Sequence, residues 1–478
     1  MKRHLHLFLV LGMSTLPMLL SAQSSDIWSL RQCLEYAQEY NLQLKQADLN
    51  VQRGEIDLAQ ARAARMPNLN GSVNGFSRFG FFVDPFTNQL DQQSSFTSDL
   101  GISSGVTLFN GFQLSNTIKQ SELDYRASLA DKEQQEYDLA LNITLAYLSI
   151  LQNAEFAEAA KLQVASTKEQ RDRTSKLVEA GSLAPADLLQ LQSQIASEEL
   201  NVVNLQNQLE LSYLNLQQLM NLDPSEPFGI EKLELDDPEG EVLDMNTSDL
   251  YAEAEQNQPF IESADLQIQS AQMGKEIAKG AQYPSLFLSM SGGTGYSSNR
   301  KRVLGFEQNG FDELPGVKIN GEPALFETPA LDQVTGPYAY FDQLSDNVSG
   351  NVSVGLNIPI YNRRQIKSGI ELADIQIQNA QLSAQLQRQN LKQVIEQAYL
   401  DAKSSYSSYL ATQRQLDAAQ LNFENVEKQF NVGLSNSVDY LVAKNSANMA
   451  RFDLLRNKYT YLFRTKVLDF YQGKPIGF

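Results

Sequence analysis

The sequence is almost without histidine. Its 478 residues include only His4 and His6, both in the first ten positions. A basic start, an apolar core over 5–20 and a small-residue site at Ala22 are typical of a secretory signal peptide, so we expect residues 1–22 to be removed. The mature chain would then contain no histidine. This excludes Ser-His-Asp and Cys-His nucleophiles and His-based zinc or iron sites.

Cysteine is nearly absent as well. The single Cys33 cannot form an internal disulfide, so an exported fold must be held together by packing, which a chain of this length can supply. Cys33 also lies too far beyond the predicted leader to be a lipid-attachment cysteine. We expect it to be a small buried apolar residue.

Positive charge is scarce. Loss of Lys2 and Arg3 with the leader leaves 36 basic residues against 57 acidic ones, a formal net charge of −21. Such a chain repels the phosphates of nucleic acids, so no nucleic-acid partner is expected.

Long apolar runs are missing beyond the leader. A membrane helix needs about 18 consecutive apolar residues. The richest stretch, 139–151, is interrupted by Asn142, Thr144 and Ser149. If the chain crosses a membrane, we expect strands to do so.

The sequence does contain an internal repeat. Residues 64–69 match 281–286 at an offset of 217, and three later pairs share an offset of 252. Those pairs are Asn110 with Asn362, Gly181 with Gly433, and Asp187 with Asp439. The change of 35 residues between the offsets indicates a longer loop in the second half.

Each repeat is predicted to contain a helix, a strand pair, a very long helix and a return helix. The repeats cover 23–222 and 248–470, separated by an acidic connector at 223–247 and followed by a tail at 471–478. In the first repeat, the predicted elements are a strand pair at about 68–109, a long helix at about 111–180 and a return helix at about 185–220. In the second repeat, the strand pair is predicted at about 285–358, the long helix at about 363–432 and the return helix at about 437–469.

The long helices are the plainest signal. Residues 112–180 and 370–432 contain neither glycine nor proline, and helices of that size reach roughly 100 Å. Their apolar residues alternate in steps of three and four, which favours knobs-into-holes packing over an ordinary amphipathic surface helix. The predicted seam residues are Leu139, Ile143, Ala146, Ile150, Ala157, Ala160 and Val164, then Ile370, Ala373, Ile377, Ala380, Ala384, Leu391, Val394 and Ala398.

Other segments alternate with period two. In 348–358 the even positions are apolar or glycine and the odd positions are small or polar, and 99–108 alternates likewise. About ten such residues span a bilayer when tilted, although a soluble sandwich strand would also alternate. Long segments at about 77–97 and 293–346, rich in aromatic residues or glycine, suit the external loops of a membrane barrel or a disordered linker.

Four strands are too few to close a barrel, for which about eight are needed, and open edges are not tolerated in lipid. If these strands lie in a membrane, the barrel must be shared between several chains.

The chain resembles the TolC-like outer-membrane efflux protein family over essentially its whole mature length. The resemblance is carried by the order and spacing of several short motifs. The first helix of each repeat is followed by Met66-Pro67-Asn68-Leu69 or Tyr283-Pro284-Ser285-Leu286, in keeping with the duplicated plan. The strand exits are Leu108-Phe109-Asn110-Gly111 and Pro359-Ile360-Tyr361-Asn362, and the helix turns lie around Gly181 and Gly433.

The resemblance implies an α+β membrane protein with an internal two-fold repeat. In this fold a homotrimer shares a twelve-stranded transmembrane β-barrel, four strands per chain, in the outer membrane of a Gram-negative bacterium. The long helices form a periplasmic α-helical barrel, which meets a periplasmic adaptor (membrane fusion) protein and an inner-membrane RND or ABC pump. No cofactor, metal or catalytic residue is implied, because conduction is driven by the pump.

The resemblance also implies site residues at the helix turns. Gly181 and Gly433 are suited to left-handed helix ends, with Leu183 and Leu434 beside them. Asp187 and Asp439 follow near the start of each return helix, where a carboxylate favours the helix N-terminus. Copied by threefold symmetry, Asp439 would form a ring of carboxylates that favours cations and attracts divalent blockers.

The match at the second turn is incomplete. The family carries two acids one turn apart at its narrowest constriction, and here Val442 occupies the second place. Ser435 stands where a basic residue is common, and Phe430 lacks the hydroxyl of the matching tyrosine. The candidate constriction is therefore Asp439, Val442 and Asp187, although both aspartates could simply be helix caps, and Asn110, Gly111 and Asn362 mark the strand-to-helix exits.

Three functions are compatible with the sequence, and the resemblance implies the first of them. The first is a passive exit duct of a tripartite efflux system, with type I protein secretion as a variant. The second is a non-conducting periplasmic coiled-coil scaffold or adhesin. The third, an enzyme, would need a carboxylate pair in a formed pocket, whereas charges at helical spacing usually form a solvated face.

Overall fold

The computed structural model describes residues 27–83, 90–91, 94–233, 237–238, 246–313, 316, 318–323 and 327–474. The predicted signal peptide lies outside the described residues, as do parts of the acidic connector and of the tail. The chain divides into two compact units. We call Leu49–Ala130 with Glu262–Gln387 the sheet unit, and the remainder the helical unit.

The described residues form nine helices. They are α1 Leu30–Tyr40, α2 Leu42–Ala63, α3 Gln113–Glu179, α4 Pro185–Met220, α5 Thr247–Asn257, α6 Pro259–Gly280, α7 Tyr340–Asp346, α8 Gln365–Asn431 and α9 Ser437–Tyr471. The helices α3 and α8, 67 residues each, occupy the positions where the sequence predicts the two long helices. Within the described ranges, none of these helices is apolar over a length that would cross a membrane.

Twelve strands accompany them in the described part of the chain. They are β1 Ile27–Trp28, β2 Asn70–Arg78, β3 Phe82–Val83, β4 Leu90–Asp91, β5 Ser95–Asn110, β6 Gly229–Ile230, β7 Ser285–Ser297, β8 Arg302–Glu313, β9 Lys318–Ile319, β10 Glu322–Pro323, β11 Glu327–Gly336 and β12 Ser349–Asn357.

The sheet unit is built around a four-stranded antiparallel sheet in the order β12-β7-β5-β2. Its centre is the pairing of β5 from the first repeat with β7 from the second, where Gly101 lies opposite Gly293. The two repeats therefore meet in the middle of one sheet. The outer strands β2 and β12 each have one partner strand within the described residues.

Register sorts the side chains of this sheet onto two faces. Val106, Leu288 and Val354 lie directly opposite one another across three strands. The neighbouring row contains Ser289 and Ser353, whose hydroxyls are 2.6 Å apart. Because side chains alternate along a strand, one face is apolar and the other is mostly small or polar, with Phe76 and Phe287 as exceptions.

The second of the two long segments differs from the sequence prediction. Between β7 and β12, where one long loop is expected, β8 pairs with β11 in an antiparallel hairpin and α7 follows. The register of the hairpin shifts between Pro329 and Leu331 and again between Val334 and Thr335. Most residues of both strands are exposed, so neither strand has the alternating apolar face from which a period-two pattern could predict it.

The helical unit has its largest core where α1, α3, α4 and α9 meet, and the short parallel pair β1 and β6 lies beside it. All seven seam residues predicted in α3 are buried. In α8, Ala384, Leu391 and Ala398 are buried, but the expected Val394 is 40% exposed and Ile395 is buried in its place. Near this point the contacting face has moved by one residue, as an α-helix of 3.6 residues per turn drifts from a strict 3.5 repeat.

Cys33 lies in this largest core and has no exposed surface. Burial raises the pKa of the Cys33 thiol from 9.0 to about 12, because the apolar surroundings penalise the thiolate. The prediction of a buried apolar role is confirmed for this residue.

We expect Cys33→Ala to flatten the alkaline stability profile. Between pH 9.0 and about 12 the unfolded chain has lost the thiol proton while the folded chain keeps it. Unfolding free energy therefore falls as pH rises, by up to about 1.4 kcal/mol per pH unit from this group. Urea unfolding of both proteins at mildly and strongly alkaline pH measures the difference, since the buried tyrosines act equally in both. Parallel profiles would show that the folded chain releases this proton as easily as the unfolded one.

Candidate functional site

Each long helix ends in a glycine with left-handed backbone, at φ 73° for Gly181 and φ 76° for Gly433. Both turns close with the double hydrogen bond that satisfies the last carbonyls of a helix. The amide donors and carbonyl acceptors are Gly181 to Val178 and Ser182 to Leu177 at the first turn, then Gly433 to Phe430 and Leu434 to Gln429 at the second. The two repeats therefore have the same turn geometry.

We expect Gly433→Ala to destabilise the protein by about 1 kcal/mol, because an L-residue is strained at this φ although the space around it is open. Gly369→Ala is the matched control. Gly369 lies within α8 in equally open space without a left-handed backbone, so the same substitution there should stabilise by about 0.5–1 kcal/mol. Denaturant midpoints of both variants measure the two effects. Equal signs would contradict the role assigned to the turn.

Asp187 is engaged on both sides of its carboxylate. One oxygen accepts a hydrogen bond from the Ala184 amide at 3.2 Å, and the other accepts one from the Ser437 hydroxyl. The first bond caps α4, whose N-cap residue Ala184 has no side chain that can do so. The second bond joins the turn of the first repeat to that of the second.

Asp439 occupies the matching place in α9 but has a different environment. Its amide donates to the side chain of Asn436 at 2.8 Å, so the cap is supplied by Asn436 and not by the aspartate. The Asp439 side chain is exposed and makes no hydrogen bond or ion pair within the described residues. Val442, one turn on, is 64% exposed. Residues three apart share a helix face, so Asp439 and Val442 lie side by side.

A small apolar cluster holds the turns together. Its buried members are Leu191 of α4, Phe430 of α8, and Tyr440 and Leu441 of α9. The rings of Phe430 and Tyr440 stack with centroids 5.0 Å apart. Leu183 packs against this cluster, whereas Leu434 is exposed. Phe430 therefore contributes to the turns through ring stacking inside this cluster.

Sequence reasoning missed a buried polar network close behind the turns. Lys444 of α9 is 3% exposed and donates to Thr167 of α3 at 2.9 Å. The Thr167 hydroxyl lies 2.6 Å from Glu198 of α4, which is 6% exposed. The other Glu198 oxygen accepts from Gln163 and Gln194, both at 2.9 Å. A lysine and a glutamate from different repeats therefore share one buried network.

Two opposing effects act on the charge of the lysine in this network. Burial lowers the pKa of Lys444, because desolvation penalises the ammonium, and Glu198 opposes that shift. A signal in the sequence could have found both residues. Lys444 lies three residues before the buried Ala447, and Glu198 follows the buried Ile195 by three, so each is a charged residue at a seam position.

The strand-to-helix exits lie in the sheet unit. The Asn110 side chain accepts from the Leu114 amide at 3.2 Å and so caps α3, whereas Asn362 uses its backbone carbonyl to accept from Gln365 at 3.0 Å. After each asparagine two residues have left-handed backbone. They are Gly111 and Phe112 at the first exit, and Arg363 and Arg364 at the second.

Gly111 is fixed by close packing. A Cβ atom there would lie 2.1 Å from the Gly280 carbonyl oxygen, closer than any side chain allows. The first exit thus requires glycine, while the second tolerates arginine.

Comparison with known proteins shows which proteins this chain is similar to. The sequence profile of the outer membrane efflux protein family matches residues 33–222 and 250–473, and the break coincides with the predicted acidic connector. The efflux protein BepC of Brucella suis is 20% identical over 442 residues, covering 92% of this chain and 84% of BepC. TolC of Escherichia coli is 22% identical over 460 residues, covering 94% of this chain and 84% of TolC.

The fold agrees with this match. The crystal structure of the outer membrane protein VceC from Vibrio cholerae superposes with a TM-score of 0.73 at 14% identity, covering 94% of this chain and 97% of VceC. The resemblance predicted from the sequence is confirmed, and with it the outer-membrane location. The chain therefore belongs to the outer membrane efflux protein family.

Proposed function

We propose that the protein is the outer-membrane exit duct of a tripartite efflux system. Substrate enters from a periplasmic adaptor and an inner-membrane pump and leaves to the exterior, and the duct itself performs no catalysis. The observation that carries the proposal is one chain in which a four-stranded open sheet with an apolar face continues into two 67-residue helices. A sheet of this kind suits lipid, and each helix is roughly 100 Å long.

The free sheet edges support a homotrimer. Edge strands cannot remain unpaired in lipid, so β2 of one copy must pair with β12 of the next. Two copies would supply eight strands, and the interior of an eight-stranded barrel is filled by side chains. Three copies supply twelve strands and are the smallest ring that leaves room for a water-filled passage.

Asp439 and Val442 are the proposed constriction. The support for this assignment is that both side chains are exposed on one face of α9, and that Asp439 is not needed for capping. Asp187 is proposed to have a structural role, because both of its carboxylate oxygens already accept hydrogen bonds. Around a threefold axis, three copies of Asp439 would create a cation-selective ring closed from one side by Val442.

Single-channel recording in planar bilayers tests the proposal. Purified full-length protein should produce discrete conductance steps that favour cations over anions. A protein that inserts and gives no steps would indicate the non-conducting scaffold. Secretion of a folded or unfolded polypeptide by the intact cell, lost on deletion and restored by the cloned chain, would instead identify the type I secretion variant.

A further inference from the structure

One end of the four-stranded sheet gathers all four links between strands and helices. Asn110 at the end of β5 lies opposite Ser285 at the start of β7, which in turn lies opposite Asn357 at the end of β12. The start of β2 lies at the same end, since the amide of Asn68 donates to the Gly105 carbonyl at 3.1 Å. The flanking residues of α2, α3, α6 and α8 are therefore neighbours at one level of the sheet unit.

Contacts between these helix termini hold the links together. Arg65, two residues beyond the end of α2, donates to the Ser115 hydroxyl of α3 at 3.0 Å. Gln113 of α3 donates to the Ile277 carbonyl of α6 at 3.2 Å. Lys275 of α6 forms an ion pair with Asp374 of α8 at 2.5 Å. The three contacts make this level a continuous surface across all four helices.

This level is basic in an otherwise strongly acidic chain. The segments 58–70, 103–119, 277–290 and 350–370 contain no aspartate or glutamate. They contain seven cations, which are Arg62, Arg65, Lys119, Lys279, Arg363, Arg364 and Lys367. The acids Asp57, Glu276 and Glu371 directly adjoin these segments, in a chain whose formal net charge is −19.

Four of these cations have no side-chain partner within the described residues, and one of them, Lys119, is the seventh residue of α3 and so lies farther from the links than the other three. Arg62, Arg363 and Lys367 are exposed and make no side-chain hydrogen bond or ion pair there, whereas Lys279 pairs with Glu276 and Arg364 with Glu371. Arg62 ends α2 and the other two lie within three residues of the start of α8. Their charges are available to an external anion.

Exposed aromatic side chains accompany the free cations. Tyr361 is 87% exposed, and Phe112 and Tyr283 are also exposed. The apolar face of the sheet continues into this level through Leu69 and Ile358, both exposed. Aromatic rings beside arginine or lysine at the margin of an apolar band are the arrangement found where a protein meets lipid headgroups.

We propose that Arg62, Arg363 and Lys367, with Phe112, Tyr283 and Tyr361, form a basic girdle that binds the headgroups of anionic phospholipids in the leaflet nearer the helices. The proposal rests on the proposed function, which puts the sheet in the bilayer. A bilayer headgroup explains both components, since the cations meet its phosphate while the rings lie at the depth of the headgroups. A free phosphate ion would account for the cations alone.

Spin-labelled lipids test the girdle in reconstituted full-length protein. Vesicles of phosphatidylcholine with a minor fraction of phosphatidylglycerol receive a trace of either labelled lipid, and electron paramagnetic resonance measures the fraction immobilised by the protein. We expect labelled phosphatidylglycerol to be preferred about fivefold, the order of effect of one cation at a membrane surface. The triple variant Arg62→Gln, Arg363→Gln, Lys367→Gln should reduce the preference to below about twofold.

A matched variant removes the same charge elsewhere. Lys403→Gln, Arg414→Gln, Lys428→Gln neutralises three exposed cations of α8 far along the helix from the sheet and should leave the preference unchanged. Salt acts on the wild-type protein without any substitution, and about 1 M should abolish most of the preference by screening. This keeps the test decisive even if the triple variant does not fold.

The possible outcomes separate the two proposals. Equal immobilisation of both labels by a protein that conducts would overturn the girdle and leave the exit duct intact. No immobilised lipid of either kind, together with no conductance, would overturn the membrane placement and the girdle with it. A preference that survives both salt and the triple variant would assign the lipid to another surface and overturn the girdle.

Discussion

Asp439→Ala is expected to raise the divalent-cation concentration that half-blocks the channel by about tenfold, equivalent to about 1.4 kcal/mol of lost binding. The reason is the proposed ring of three carboxylates, whose summed field concentrates cations at one point of the passage. Folding should be little affected, because the cap of α9 comes from Asn436 and the Asp439 side chain is exposed. Block by a divalent cation added to one side of a planar bilayer, together with the cation-to-anion permeability ratio, measures the effect.

Asp187→Asn is the matched control. It removes the same charge from the corresponding position of the first repeat, but the side chain there caps α4 and bonds Ser437. We therefore expect a small loss of stability, about 1 kcal/mol, with divalent block nearly unchanged. If Asp187→Asn abolished block and Asp439→Ala did not, the constriction would lie in the first repeat.

Long-range periodicity made most of the fold predictable. The absence of glycine and proline from 112–180 predicted a helix observed at Gln113–Glu179, because no other local preference interrupts so long a run. The exact contact face was less predictable. Val394 and Ile395 are both branched apolar residues, and only the drift of the helix relative to its neighbours decides which of them is buried.

The candidate site was predictable only in part. Both aspartates follow a turn glycine by six residues, so spacing alone could not separate their roles. The residue three positions before each one does separate them, because Asn436 can cap a helix with its side chain and Ala184 cannot. The bond from Ser437 to Asp187 crosses 250 residues of sequence, so no local pattern in one repeat could reveal it.

Lys444→Met should have the largest effect on stability, a loss of about 3 kcal/mol. The substitution retains the apolar stem but removes the cation that Thr167 links to Glu198, and loss of one charge from a buried charged network is strongly destabilising. Lys403→Met, at an exposed position of α8, is the control and should change stability by less than about 0.5 kcal/mol. Urea unfolding followed by circular dichroism compares the two variants.

The same network should also restrain the proposed constriction. Lys444 lies five residues beyond Asp439, about 8 Å along α9, and ties that helix to Thr167 of α3 and through it to Glu198 of α4. Lys444→Met should therefore lengthen the open periods of single channels as well as lower stability. Without the lysine, α9 is attached to the first repeat near the turns mainly by the Ser437 bond, the bond from Gln194 to Asn445 at 3.2 Å and the Leu191 cluster.

The double variant Lys444→Met with Glu198→Gln decides whether charge pairing is the cause. If the two groups stabilise each other through Thr167, the loss in the double variant should be smaller than the sum of the single losses by about 1–3 kcal/mol. Removing both charges leaves no uncompensated ion in the core, and the amide oxygen introduced by Glu198→Gln can still accept from Gln163 or Gln194. Strict additivity would mean that Lys444 and Glu198 are stabilised independently, and that pairing of their charges does not help to hold α9 to the first repeat.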